Sequence, residues 1–529
     1  MPGQGTASAA LRVKRVTLVA CIIGSGIGLL DSTIVNIALP TIQRSLGGGL
    51  AGEQWVVNAY LLTLGSLILI GGSLEDVFGA RRVFSLGVGG FGVASMLCGV
   101  SPSIGLLVAC RALQGVSGAL LVPSSLAVIV ATFPEAERGR AIGTWTAFTT
   151  VATVIGPLAG GGLLAVASWR WLFFINAPFV VICLALILTV IPPAAPGRAR
   201  RSVDLLGGLL CMLGLGGTVF ALIEEERLGW GSPAVLIPLC GGILALGAFF
   251  AAERRARDPM LPLGLFSRRN FAVANAETLA VYAGLSVLIL FLVLFLQQVA
   301  GYSPLDSGLA TLPVTIVMFA CSGRFGALAG RLGPRRFMGA GPVVGAIGLL
   351  LLLRVGTHPS YVGELLPAVL VFGIGLSMTV APLTATVLAD VEADEAGIAS
   401  AVNNAVARVA GLVGTAAVGA VLASAFSASV DRTLAGAKLG SAARAAELTA
   451  KHLVLGRPSV AHLPPRQAHA VLDAANAASL SGFHIAVIVA AALLLVGGLA
   501  GAIGIEDRDV RSESERPAAA KRAARAGGR

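Results

Sequence analysis

VTLVACIIGSGIGLLDSTIVNIAL, residues 16–39, runs through a whole helical span with one charged side chain, Asp31. A hydrocarbon core ~30 Å thick takes roughly 20 helical residues to cross, so this stretch is long enough to span a bilayer. It carries an acid, lacks an A-x-A site near its end and flows into further apolar stretches. It therefore reads as a first membrane span and not as a cleaved signal peptide.

About fourteen such stretches follow one another along the 529 residues, and the mean hydropathy of +0.87 excludes a soluble fold. Six run Val16–Leu39, Trp55–Gly72, Val83–Val100, Ile104–Val130, Ala141–Leu164 and Trp171–Ile191. After the basic linker PPAAPGRARRSVD come two shorter ones, Leu205–Ile223 and Pro233–Ala252. Six more run Phe271–Val299, Ser307–Ala329, Phe337–Leu353, Glu364–Leu388, Gly397–Ala423 and Phe483–Ile503. The expected fold is all-α and polytopic: a six-helix bundle (1–192), a linker with two inserted helices (193–260), a second six-helix bundle (261–505) and a basic tail (506–529). Residues about 424–482 are too polar to cross and too long for a turn, and their alanine-rich stretches predict amphipathic helices on the outer surface.

Only 12% of residues are charged, against about 25% in soluble chains, so apolar side chains must face lipid. A net charge of +11 suggests nucleic acid in a soluble chain, but here the basic residues report orientation. With Arg12, Lys14 and Arg15 inside, the clusters Arg81 and Arg82, Arg138 and Arg140, Arg198–Arg201, Arg254–Arg257, Arg268 and Arg269, and Arg331–Arg336 all fall inside too. Both termini are expected in the cytoplasm. Arginine outnumbers lysine 34 to 4, the bias of a GC-rich bacterial genome, which points to a bacterial inner membrane. The seven cysteines all lie in apolar stretches, which argues against a disulfide framework.

An internal repeat marks the two halves. GSLEDVFGARR (72–82) and GALAGRLGPRR (326–336) superpose without gaps on Gly72/Gly326, Leu74/Leu328, Gly79/Gly333, Arg81/Arg335 and Arg82/Arg336. Six, two and six spans with a repeated turn is the pattern of a duplicated transporter carrying an insertion.

Asp31 lies about fifteen residues into the first span, ~22 Å from the inner surface at 1.5 Å per residue. A carboxylate there costs ~2.5–3.5 kcal/mol on insertion scales and marks an ion or proton pathway. Arg111 enters from the other face and reaches nearly the same depth, so the two are candidates for a coupled pair. In the fifth span GPLAGGG combines Gly156, Pro157, Gly160 and Gly161, which permit a bent helix and a close helix–helix seam.

These stretches in order resemble the major facilitator superfamily, and within it the fourteen-span drug:proton antiporters of the QacA/EmrB type. The resemblance rests on LDSTIVNIALPTI (30–42), GGSLEDVFGARR (71–82), RALQGVSGALLVPSS (111–125), VIGPLAGGGL (154–163) and WRWLFFINAPF (169–179), and covers nearly the whole chain. It implies proton coupling through Asp31 and Arg111, a conformational loop at Gly72, Asp76, Gly79, Arg81 and Arg82, and an exchange seam at Gly156 and Pro157. GIASAVNNAVARVAG (397–411) resembles the penultimate span of that family and places Asn404 and Arg408 in the cavity. Two departures stand out: Val77 follows the loop aspartate where a basic residue is usual, and the second loop copy has Gly330 in the aspartate's place.

The expected activity is alternating-access efflux of amphipathic small molecules against protons, by a monomer in the lipid bilayer. Asn36, Asn58, Tyr60, Gln114, Trp145 and Asn176 add polar points to the apolar cavity, and Glu277 and Asp306 are possible second carboxylates. A lipid, a siderophore or an endogenous biosynthetic product is the alternative cargo. No GK[ST] phosphate loop follows any of the four lysines, and no TVGYG-like filter is present. A remote alternative, an intramembrane serine hydrolase, would use Ser117 with His484 as base. No cofactor, metal or nucleic acid is implied.

Overall fold

The computed structural model describes residues 3–191, 203–257, 259–389, 391, 396–435, 440, 442–444, 447, 454–455, 460 and 463–506. Every described element is helical. The crossings are α1 (Gly3–Leu46), α2 (Gly49–Phe78), α3 (Ala80–Val100), α4 (Ile104–Thr132), α5 (Glu135–Val166) and α6 (Trp171–Val190). The inserted pair is α7 (Leu205–Leu228) and α8 (Pro233–Glu253). The second half comprises α9 (Arg269–Val299), α10 (Pro304–Leu332), α11 (Pro334–Arg354), α12 (Tyr361–Ala389), α13 (Ala396–Leu434) and α14 (Pro465–Gly504). Thirteen of these are long and apolar enough to cross a membrane among the described residues, and α5, at 32 residues, has the length for a fourteenth.

The two halves repeat each other helix by helix. In the first, α1 packs on α5 and α6, α4 on α2 and α3, and α3 on α6; in the second, α9 packs on α13 and α14, α12 on α10 and α11, and α11 on α14. The repeated turn is conformationally equivalent as well. Gly79 (φ 87°, ψ 134°) joins α2 to α3 and Gly333 (φ 89°, ψ 140°) joins α10 to α11, a left-handed backbone that a Cβ would strain. Arg81 Nη2 then donates to Leu188 O at 2.9 Å, and Arg335 Nε to Ala502 O at 2.6 Å. Each carbonyl lies two residues from the end of the sixth helix of its half, so each arginine ties its turn to the same place.

Between the halves, α2 packs on α13 and α5 on α10. The inserted α7 and α8 pack on each other, and α7 lies against α2 and α13. Trp55 Nε1 on α2 donates to Glu224 Oε1 on α7 at 3.0 Å. The largest apolar core is shared by both halves and lies toward the α1–α2 connection, where Ile34, Leu39 and Val56 meet Phe291, Phe295, Phe426 and Phe483. Toward the opposite end the cores part: Phe84, Ile129 and Ile187 pack within the first half, and Phe271, Met338 and Val402 within the second.

In the segment 424–482, expected as surface helices, the described residues largely prolong the two spans beside it, α13 to Leu434 and α14 from Pro465, and 442–444 and 447 between them are helical too. Most of the expected stretch 441–453 lies outside the described residues. No proline or glycine interrupts 424–434, and the Pro464–Pro465 pair supplies a ready helix start.

Candidate functional site

Asp31 and Arg111 meet in the middle of the first half. Asp31 is 1% exposed and Arg111 1%, and Arg111 Nη1 donates to Asp31 Oδ2 at 2.5 Å. One turn along α4, Gln114 closes a triangle: its Oε1 accepts from Arg111 Nη1 at 2.6 Å, and its Nε2 donates to Asp31 Oδ1 at 3.0 Å. Helical geometry puts residues three apart on one face, which is why the spacing R-x-x-Q delivers both groups to one carboxylate.

Three further elements hold the triangle. Arg111 Nε donates to Val56 O of α2 at 3.1 Å, and its guanidinium lies 4.4 Å from the Tyr60 ring centre, a cation–π distance. Asn176 of α6 donates from Nδ2 to Asp31 Oδ1 at 3.3 Å and to Ser95 Oγ of α3 at 2.9 Å, and Ser95 Oγ donates to Phe173 O. The close approach of α2 to α4 depends on Gly115, where a Cβ would stand 2.3 Å from Tyr60 O. A charge pair so enclosed is compensated group by group, and removing either partner strands the other in an apolar core.

The other expected residues disperse around this centre. Asn58, fully buried, accepts from Thr415 Oγ1 of α13 at 3.0 Å, across the two halves. Trp145 donates to Ser25 Oγ, which donates to Ser125 Oγ. Asn36 is half-buried on α1, Arg408 is half-buried on α13, and Asn404 is exposed with its amide turned to Ser400 O of its own helix. Asp306 is exposed and forms a cap with Ser303 at the start of α10, so it belongs to a helix terminus. Glu277 is fully buried in the second half, against Gly497 and Gly501 of α14. The side chain of Asp76 lies outside the described residues. Ser95 escaped the sequence reading, since nothing in a glycine-rich span distinguishes it from a packing serine.

The glycines of α5 face two ways. A Cβ at Gly156 would stand 1.9 Å from Thr33 Oγ1 and one at Gly160 3.2 Å from Ile34, both on α1. A Cβ at Gly161 would stand 2.5 Å from Leu305 Cα of α10, and Gly308 of α10 approaches Pro157 in return. One short segment thus packs within its own half and against the other. Ser117 donates to Leu113 O in its own helix and His484 pairs with Val355 O in the second half, so no hydrogen bond joins them as nucleophile and base.

The chain resembles known transporters in sequence and in fold. It is 40% identical over 396 residues to the puromycin resistance protein pur8 of Streptomyces alboniger, covering 73% of this chain and 78% of that one. It is 35% identical to the multidrug resistance protein Stp of Mycobacterium tuberculosis over 93% of this chain and 92% of the relative. The tetracenomycin C resistance and export protein of Streptomyces glaucescens is 33% identical, with 96% and 95% covered. The crystal structure of a bacterial homologue of the human lysosomal transporter Spinster, inward-facing and unoccupied, superposes with a TM-score of 0.65 at 17% identity, covering 92% and 97% of the two chains. The pattern of the Major Facilitator Superfamily matches residues 21–415, and the chain belongs to that family of membrane transporters.

Proposed function

We propose that the protein exports amphipathic small molecules in exchange for protons, with Asp31 as the group that gives up and takes back the proton. The observation that carries this reading is the buried triangle of Asp31, Arg111 and Gln114, one carboxylate held by a fixed cation inside a half that must move against its partner. Relatives named for drug resistance and export support the direction of transport. The arginine bias between loops supports cytoplasmic termini in a bacterial inner membrane, and the packing of both halves within one chain supports a monomer as the working unit.

Everted vesicles test the coupling. Asp31→Asn keeps the shape of the side chain and removes its exchangeable proton, so cargo-driven proton movement and uphill cargo accumulation are expected to stop while facilitated exchange persists. Uphill pumping by that variant would make Asp31 a structural residue. A second reading, export of an endogenous biosynthetic product, draws on the similarity to the tetracenomycin C resistance and export protein. Cargo profiling of cells with and without the transporter separates the two readings.

A further inference from the structure

We propose that Arg408 is the docking point for an anionic group on the cargo, so that the cavity takes amphiphiles bearing a carboxylate, sulfonate or phenolate beside an apolar body. This rests on the reading of the protein as a carrier of amphipathic molecules.

Arg408 sits twelve residues into α13, ~18 Å along its axis, and is half-buried. A Cβ at Gly65 of α2 would stand 3.3 Å from Arg408 Cβ, which places the residue at the seam between the halves. The cation thus lies where α13 of the second half meets α2 of the first.

That cation has no hydrogen bond or ion pair among the described residues. Among the described side chains, the acids on neighbouring helices are committed or remote. Asp31 is held by Arg111, Glu53 by Gln298, and Glu224 by Trp55 and Arg227. Glu75 lies ten residues beyond Gly65 on α2, ~15 Å further along the axis. Glu277 turns toward Gly501 on α14, on the other side of α9. An arginine at membrane depth costs ~2.5–3.5 kcal/mol on insertion scales and is retained where it lines a cavity or meets a ligand.

The chemistry of the site selects the ligand. A guanidinium offers a planar fork that grips carboxylate or sulfonate oxygens in pairs, and the apolar helices on either side suit the rest of an amphiphile.

The test uses a matched pair of probes on the full chain in lipid nanodiscs, with empty nanodiscs subtracted. 8-Anilinonaphthalene-1-sulfonate and N-phenyl-1-naphthylamine differ only by the sulfonate. Arg408→Gln is expected to weaken binding of the anionic probe on the order of ten- to hundredfold, the scale of a charge-assisted contact, and to leave the neutral probe within about twofold. Arg408→Lys keeps the charge without the fork and is expected to fall between. Equal weakening of both probes would make Arg408 a packing residue, and no change in either, or no binding of the anionic probe by the native protein, would overturn the proposal as well. Probe binding is read without a proton gradient and the proton reading by proton movement in vesicles, so the failure of either leaves the other measurable.

Discussion

Gln298 Nε2 donates to Glu53 Oε1 at 3.0 Å, joining α9 of the second half to α2 of the first. Glu53 is 3% exposed, and Gln298 reaches it because residues 295–299 wind as a single π turn, with Ala300 N bonded to Phe295 O. The same turn sends Gln297 Nε2 to Ile37 O of α1 at 2.9 Å. With Gln54 Nε2 on Thr415 O and Thr415 Oγ1 on Asn58, these bonds latch the halves toward the end where they share one core. The structure is thus closed at the α1–α2 end.

Loss of the latch is expected to shift the balance toward opening at that end. Gln298→Ala removes a hydrogen bond to a buried carboxyl, a contact of about 1.5–3 kcal/mol. Spin labels at the exposed Ser45 and Arg354, on opposite halves at this end, are expected to report a new population at longer distance. An unchanged distance distribution would show that the shared apolar core alone sets the closed state.

The repeat and the central pair were legible because each leaves a local mark. Gly79 and Gly333 announce a turn that only glycine adopts readily, and Asp31 and Arg111 are charges at matched depth in otherwise apolar spans. Asn176 was legible only as a polar point in an apolar span and Ser95 left no mark, since their meeting with Asp31 depends on which faces α3 and α6 turn toward α1. The latch was hidden for a similar reason: a π turn at 295–299 re-aims two glutamines that a regular helix would point elsewhere. The alanine-rich stretch 465–480 signalled helix, but composition does not say whether a helix begins anew or continues into a neighbouring span, as it does in α14.

Arg111→Lys is expected to cost transport although charge is conserved. The ammonium can meet Asp31 but cannot also donate to Val56 O and Gln114 while stacking on Tyr60. Losing one charge-assisted bond, about 1.5–3 kcal/mol, corresponds to a ten- to hundredfold drop in rate if it bears on the coupling step. The pH profile of transport in vesicles is expected to move along with the rate. A native rate and profile would remove Arg111 from coupling.

Two adjacent glycines give an internal control for the α5–α10 seam. A Cβ at Gly161 stands 2.5 Å from Leu305 Cα, while one at Gly162 meets nothing within 4 Å. Gly161→Ala is expected to open the seam or strain it by about 1–3 kcal/mol, the usual scale of overpacking, and Gly162→Ala to behave as the native protein. Measuring transport and proton leak for both variants isolates the contact from any general effect of alanine in this helix. Equal behaviour of the two would deny the seam a role.

Glu277 sets the two halves apart. Neither of its oxygens has a hydrogen-bond partner among the described residues, and it fits because Gly497 and Gly501 of α14 leave room, a Cβ at Gly501 standing 2.5 Å from Oε2. In the first half the wedge between the corresponding helices is apolar: Gly24 of α1 faces Phe84 of α3 and Cys183 of α6. An unpaired charge in such a core costs several kcal/mol, whereas a glutamine of the same shape brings none. Glu277→Gln is therefore expected to match or exceed the native melting temperature and to keep proton-coupled transport, while Gly501→Ala, which crowds the carboxyl, lowers the melting temperature by a few degrees. Loss of coupled transport in a stably folded Glu277→Gln would instead place this carboxyl on the proton route.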